Sequence, residues 1–208
     1  LLLNGPGASY ILDTAVSNAI STLAAGGTGT VRYKNNSALT IGAVGAASGI
    51  NASGPVAVST ASGNLTVAQT VQTSDSSSAA VVLNAGQAAA AGTASGGDIL
   101  LSGSPGVTVG AGGRATLMTG SVAGSTGLTG LVGSGSGNFR YNSDETTTNY
   151  TAPLGAGRYA VYREAPTVTV TANAATKTYD GNAFVGGNGF GSSGFVNGDS
   201  GSGLAGTI

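Results

Sequence analysis

Eight acidic and seven basic residues are the whole stock of charged side chains in a sequence of 208 residues without a single histidine or cysteine. Without imidazole or thiolate there is no Ser-His-Asp or Cys-His relay, no zinc finger and no imidazole-ligated metal. Carboxylates remain, and pairs of them carry out glycoside cleavage. Up to position 138 the only acids are Asp13, Asp75 and Asp98, each far from the next along the chain. Asp98 opens a strand-like segment after Gly96-Gly97, Asp75 lies in a Ser-rich loop, and neither has an acidic neighbour. A structural or solvated role is expected for them, and no enzymatic activity for the chain.

The other candidates are weaker. Asp144-Glu145 could offer hard oxygen ligands to calcium, but reads better as a solvated turn. Gly133-Ser-Gly-Ser-Gly137 has the look of a phosphate loop, yet it lacks a following Lys-Ser/Thr and a helix to supply a positive end. The alternation Thr167-Val-Thr-Val-Thr171 invites comparison with ice-binding surfaces. Elsewhere Thr40, Thr66, Thr108 and Thr116 occur singly in the strand-like segments, which is ordinary β-propensity, and no ice-binding surface is expected. No catalytic, cofactor-binding or metal-ligating residue is assigned, no cofactor is expected, and the binding residues stay open.

The elements that would position these residues are short and β-like. Strands are predicted at Tyr10–Leu12, Thr30–Tyr33, Leu39–Ile41, Val56–Val58, Leu65–Val67, Val81–Leu83, Ile99–Leu101, Val107–Val109 and Ala115–Leu117. Each is an apolar residue, a Thr or other spacer, and another apolar residue, enough for one inward-outward-inward alternation. The alanine-rich stretch Ala85 to Ala94 lacks caps and an amphipathic face and is read as a loop. Steps such as Leu83 to Leu101 suggest an irregular repeat of roughly 20 residues. The wider step from Leu39 to Leu65 then implies an inserted loop around Gly45 to Gly54. The expected fold is all-β: a right-handed parallel β-helix, or solenoid, with small residues in a thin core and Gly, Asn and Ser at its corners.

Composition changes near Gly137. Positions 1–138 hold two aromatics and six charges, whereas 139–208 hold nine of each. Phe139–Asn142 and Arg158–Arg163 are expected as alternating strands around a polar loop, Ser143 to Asn149. Pro166 opens a further strand, Thr167–Asn173, and Asp180-Gly181 signals a tight turn beside a Tyr179 expected to pack in a small module. The division is thus 1–138 for the β-helical coils, 139–165 for a β-rich end of the helix, and 166–208 for the start of a small β-sandwich-like module.

With these segments in view, the chain resembles filamentous-haemagglutinin-like exoproteins of two-partner secretion. The resemblance rests on Ser9-Tyr-Ile-Leu-Asp-Thr14, Thr28-Gly-Thr-Val-Arg-Tyr33 and Leu39-Thr-Ile-Gly42, which are similar to the β-helical repeats of such adhesins. Ser134 to Glu145, continuing through Tyr159 to Glu164, is similar to the end of that helix. Thr176-Lys-Thr-Tyr-Asp-Gly181 and Gly194-Phe-Val-Asn-Gly-Asp199 are similar to modules carrying a Tyr-Asp-Gly signature. The resemblance implies a large bacterial surface protein, secreted through an outer-membrane β-barrel transporter. Its partners would be host, matrix or neighbouring-cell surfaces, glycans among them.

The remaining composition fits that expectation. Seven scattered basic residues and a net charge of −1 argue against nucleic acid, which demands a basic patch. The longest apolar runs, Ala79 to Leu83 and Ala88 to Ala91, fall far short of the roughly 20 residues of a membrane helix, so no membrane insertion is expected. Both ends read as cut from a longer protein, and the absence of cysteine suits export in an unfolded state.

Overall fold

Alternation of apolar and small polar residues within three to five positions gives strands with one face to bury, and parallel pairing supplies the burial. A computed structural model describes residues 1–14, 18–183 and 189–203. Positions 184–188 and 204–208 of the expected module lie outside these described residues. Nearly all the regular elements among the described residues are β-strands, most of them in two long parallel sheets. A seven-stranded sheet runs in the order Phe139–Arg140, Gly157–Tyr162, Arg114–Thr119, Val81–Asn84, Val56–Thr60, Val31–Asn35, Tyr10–Leu12. An eight-stranded sheet runs Ile99–Leu101, Leu65–Val67, Leu39–Ile41, Thr22–Thr28, Ile50–Ala52, Val71–Thr73, Val107–Thr108, with Leu2–Asn4 also on Thr22–Thr28. Every pairing in both sheets is parallel.

Along the chain the two sheets are visited in a fixed succession. Val31–Asn35, Leu39–Ile41 and Ile50–Ala52 make one pass; Val56–Thr60, Leu65–Val67 and Val71–Thr73 make the next, and Val81–Asn84, Ile99–Leu101 and Val107–Thr108 a third. Each strand pairs with its counterpart one pass away, so like residues stand in columns. Val31, Val56, Val81 and Ala115 form one column, and Tyr33, Val58, Leu83 and Leu117 another. Leu39, Leu65 and Ile99 form a third, and Ile50, Val71 and Val107 a fourth. All of these residues are buried in one apolar cluster. Each buried Val, Leu or Ile contributes about 1.5–3 kcal/mol relative to exposure. Stacking therefore stabilises strands that are individually too short to persist.

The register corrects the predicted spacing. On the seven-stranded sheet the chain takes equal steps from Val31 to Val56 and from Val56 to Val81, then a longer one from Val81 to Ala115. All three exceed the step from Leu83 to Leu101, which joins two different sheets and is no repeat. Leu39 pairs directly with Leu65, so their separation is a normal step. The segment expected as an inserted loop contains a small antiparallel hairpin, Ala43–Val44 with Ala47–Ser48, followed by the paired strand Ile50–Ala52. The true insertion is Ala85 to Asp98, the alanine-rich loop between Val81–Asn84 and Ile99–Leu101.

Corners are held by inward-turned polar side chains. Asn35 is fully buried; its amide donates to the carbonyls of Ile20, Ser37 and Ala38, while its Oδ1 accepts from the Ile20 N–H and the Tyr33 hydroxyl. Thr60, one pass later in the same register position, donates to Gly63 O and accepts from Gly86 N–H. These bonds satisfy backbone groups that a turn over an apolar core would otherwise strand.

Beyond the third pass, large side chains gather. A five-residue helix, Leu128–Val132, buries Leu128; nothing in the sequence pattern announces it. Gly157–Tyr162 pairs with Arg114–Thr119, and the Tyr162 ring stacks on Tyr141 at 5.6 Å and tilts against Phe139 at 6.5 Å. The alternation expected for Arg158–Arg163 does not occur, because Tyr159 through Arg163 are all buried. Loop and side chains cover the outward face, with the Arg140 guanidinium 5.6 Å from the Tyr159 ring centre. The last pairing is antiparallel, Thr169–Ala172 with Phe190–Ser193, and both strands are exposed along their whole length. Tyr179 is 94% exposed, so its expected packing is corrected: no apolar surface of the described residues covers it. Asp180-Gly181 does turn, with Gly181 at φ 78° and Asp180 Oδ1 accepting from the Asn182 N–H. No described helix is long and apolar enough to cross a membrane.

Candidate functional site

The outward residues of the seven-stranded sheet form the floor of a groove of about 260 Å³. Strand alternation decides which residues these are: where Tyr33, Val58, Leu83 and Leu117 point inward, Arg32, Lys34, Ala57, Ser59, Val82, Asn84 and Met118 point out. Asp13 stands at one side, and Gln87 and Glu145 at the other. A larger depression of about 510 Å³, running along Thr28, Asn51, Gln72 and Thr108, has no ionisable side chain in its lining.

Two cations and two anions share the groove. Arg32 meets Asp13 Oδ2 at 2.6 Å through Nη2 and donates to it at 2.8 Å through Nε. Asn84, only 3% exposed, donates through Nδ2 to Glu145 Oε2 at 3.1 Å. Other acceptors here are idle. Asp13 Oδ1, Asn84 Oδ1 and Gln87 Oε1 are buried without a hydrogen-bond partner. Buried acceptors of this kind normally hold a partner, because an unmade bond costs about 1–3 kcal/mol. All three are closed to solvent as well, so they face the protein around the groove rather than its open space.

The wall carrying Gln87 and Glu145 is fixed from behind. Arg163, 1% exposed, donates at 2.7 Å to the carbonyls of Ala85 and Gly97, the two ends of the alanine-rich loop. Its own carbonyl accepts from Gly92 N–H at 2.8 Å. Asp144 clamps the middle: Oδ2 accepts from Ala91 N–H at 2.7 Å, and Oδ1 accepts from the N–H groups of Thr146 and Thr147 and the Thr146 hydroxyl. Burial raises the Asp144 pKa, but the hydrogen bonds from Thr146, Ala91 and Thr147 outweigh it and bring the group down to about 2. Burial pulls the Arg163 pKa down, opposed by Asp98, Glu145 and Asp144.

The residues singled out in the sequence scatter across this structure in different roles. Of the three early acids, Asp13 lines the groove, Asp75 accepts the Ser77 N–H in its own turn, and Asp98 is occupied by the Ser121 N–H and hydroxyl. Asp144-Glu145 is not the solvated turn expected: Asp144 is buried, and four donors take its two oxygens, leaving them engaged rather than open to calcium. Gly133 to Gly137 follows the C-terminal end of Leu128–Val132, the wrong end of a helix for phosphate. Thr40 and Thr66 are each the one Thr of their strand. They are register partners, Thr22 extends their row, and Leu100 ends it. Asn84, Gln87 and Arg163 escape a reading of the sequence, since neutral amides and a lone arginine carry no motif. The polar residue closing Val81-Val-Leu-Asn84 is the one available signal.

No protein-family model, no curated protein and no solved structure matches the chain.

Proposed function

We propose that the chain is part of a secreted bacterial surface exoprotein of the filamentous-haemagglutinin-like kind, serving as a stiff stalk in attachment or aggregation. The carrying observation is the in-register column Val31, Val56, Val81, Ala115. Under this reading residues 1–138 are coils of a parallel β-helix, 139–165 its end, and 166–208 the start of a Tyr-Asp-Gly module. A right hand is the expectation for these coils, since crossover connections between parallel strands of one sheet are right-handed in about 98% of cases. A column of Val, Leu and Ile on each face resists bending, since any kink would open several buried contacts together. The exposed antiparallel pair Thr169–Ala172 and Phe190–Ser193 supports a module that adds to the stalk without being part of its core.

Export would go through a partner β-barrel transporter of the outer membrane to the cell surface or medium, as the resemblance implies. A carbohydrate-active enzyme is the second reading, favoured by Asp13 and Glu145 lining one groove. Asp13 is tied to Arg32 and Glu145 to Asn84, which suits holding a ligand better than transferring protons. Antibody raised against this chain should label intact cells of the encoding bacterium, or their medium, and lose that signal when the transporter gene is deleted. Labelling seen only after permeabilisation would refute the surface reading.

A further inference from the structure

We infer that the Tyr141 end of the stacked sheets is a docking surface for the chain's own turn at 196–199, and that this contact fixes the direction of the exposed pair Thr169–Ala172 and Phe190–Ser193. Glu164 is still held by the stack: its N–H donates to Gly120 O at 3.0 Å, and its carbonyl accepts from Asn142 N–H at 2.8 Å. Past it the chain leaves through Ala165-Pro166, and a small body tied at one point swivels by default. A second tie is present. The turn is closed by the Asp199 N–H on Val196 O at 2.9 Å, with Asn197 at φ 54° and Gly198 at φ 78°. Both central residues are left-handed, as a type I′ turn requires and as Asn-Gly supplies.

The turn seats on the helix Leu128–Val132, the Ser134-Gly135 backbone after it, and Tyr141. Thr129 Oγ1 donates to Asn197 Oδ1 at 2.7 Å, and Asn197 Nδ2 donates to the Tyr141 hydroxyl at 3.2 Å. That hydroxyl donates in turn to Asp199 Oδ2 at 2.8 Å, and Gly135 N–H donates to Asn197 O at 3.0 Å. Backbones meet at Gly198, where an added methyl would lie 2.0 Å from Ser134 Oγ and 2.8 Å from Gly135 N. Tyr141 is itself held, its ring stacked on Tyr162 of the apolar cluster. The strap also lies on the linker, since a methyl at Gly194 would strike Thr167 O at 2.3 Å. Two separated ties, at Glu164 and at Asn197, remove the swivel that one would allow. A slot of about 190 Å³ remains between Tyr141, Pro166, Val168, Phe195 and Val196, so hydrogen bonds rather than apolar packing decide whether the strap holds.

A chain without cysteine accepts two spin labels cleanly. They go at Gln72→Cys, exposed on the eight-stranded sheet, and at Thr171→Cys, exposed on the antiparallel pair. Pulsed electron double resonance on the intact chain should read one narrow distance distribution. Asn197→Gly keeps the left-handed backbone and removes the amide; Tyr141→Phe keeps the stacked ring and removes the hydroxyl. Each should broaden the distribution about twofold, as further orientations become populated. Ser200→Ala, beside the turn but with its hydroxyl on Ser202, should leave the width unchanged. Circular dichroism and thermal melting of the same labelled proteins separate a loosened joint from a lost fold, and the β-type spectrum should persist in every variant. A parent distribution as broad as those of the variants, variants as narrow as the parent, or broadening that comes only with loss of the β-type spectrum would overturn the inference.

Discussion

The Arg163 guanidinium donates to the carbonyl oxygen of Ala85 at 2.7 Å, across 78 residues of chain. A second bond to Gly97 closes the alanine-rich loop at its other end. Replacing Arg163 by Met keeps much of its volume and removes both charge-assisted bonds. The expected loss is about 3 kcal/mol by chemical denaturation, leaving two buried carbonyls without donors. A loss under about 1 kcal/mol would show that the loop holds itself.

Asp144 gives the same loop a pH dependence. Its folded pKa, about 2, lies below the ordinary carboxylate value, so the ionised form stabilises the fold. That contribution is complete above the unfolded pKa near 4 and is lost as pH falls through the folded value. Asp144→Asn should therefore be less stable than the parent at pH 6, with the gap shrinking between about pH 4 and pH 2. Melting curves of both proteins across that range check it, and a gap independent of pH would contradict it.

Inward and outward residues of one strand should answer differently to truncation. Leu83 is fully buried in the core, so Leu83→Ala should cost about 2–5 kcal/mol. Val82, its neighbour on the groove floor, should cost about 1 kcal/mol or less when cut to Ala. Similar losses from both, measured by urea unfolding, would mean that the alternation is not as described.

Two glycines share a left-handed backbone but not their surroundings. Gly49 has φ 72°, and an added methyl would sit 2.1 Å from Thr70 O. Gly103 has φ 77° with nothing within 4 Å. Gly103→Ala should cost about 1 kcal/mol from backbone strain alone. Gly49→Ala should cost more than twice that, because the carbonyl it strikes is backbone of the next pass. Equal melting temperatures for the two variants would contradict the close stacking at Gly49.

Strand positions are legible where an apolar triplet announces them, as at Leu39–Ile41, Leu65–Val67 and Ile99–Leu101. Thr22–Thr28 and Ile50–Ala52 are not, because Ala, Gly and Asn hide a strand whose stability comes from neighbours above and below rather than from its own propensity. The repeat length misleads for a related reason: each pass crosses the eight-stranded sheet twice, so the nearest similar triplet along the chain is not the register partner. Of the groove, only Asp13 and the Asp144-Glu145 pair stand out in the sequence, and Asp144 serves behind the wall rather than in it. The idle oxygens of Asn84 and Gln87 depend on where partners are missing, which no local pattern encodes.

In-register stacking of successive passes is what both the proposed stalk and the groove depend on, and Thr40 and Thr66 report it directly. They are parallel register partners on Leu39–Ile41 and Leu65–Val67, both partly exposed, in a chain without cysteine. Neighbouring strands lie about 4.8 Å apart, within the roughly 4.4–6.8 Å between Cα atoms that a disulfide spans. Under mild oxidation the double variant Thr40→Cys, Thr66→Cys should form an intramolecular disulfide while keeping the β-type circular dichroism of the parent. A folded double variant whose two thiols stay free, counted by mass spectrometry after alkylation, would contradict the stacked arrangement.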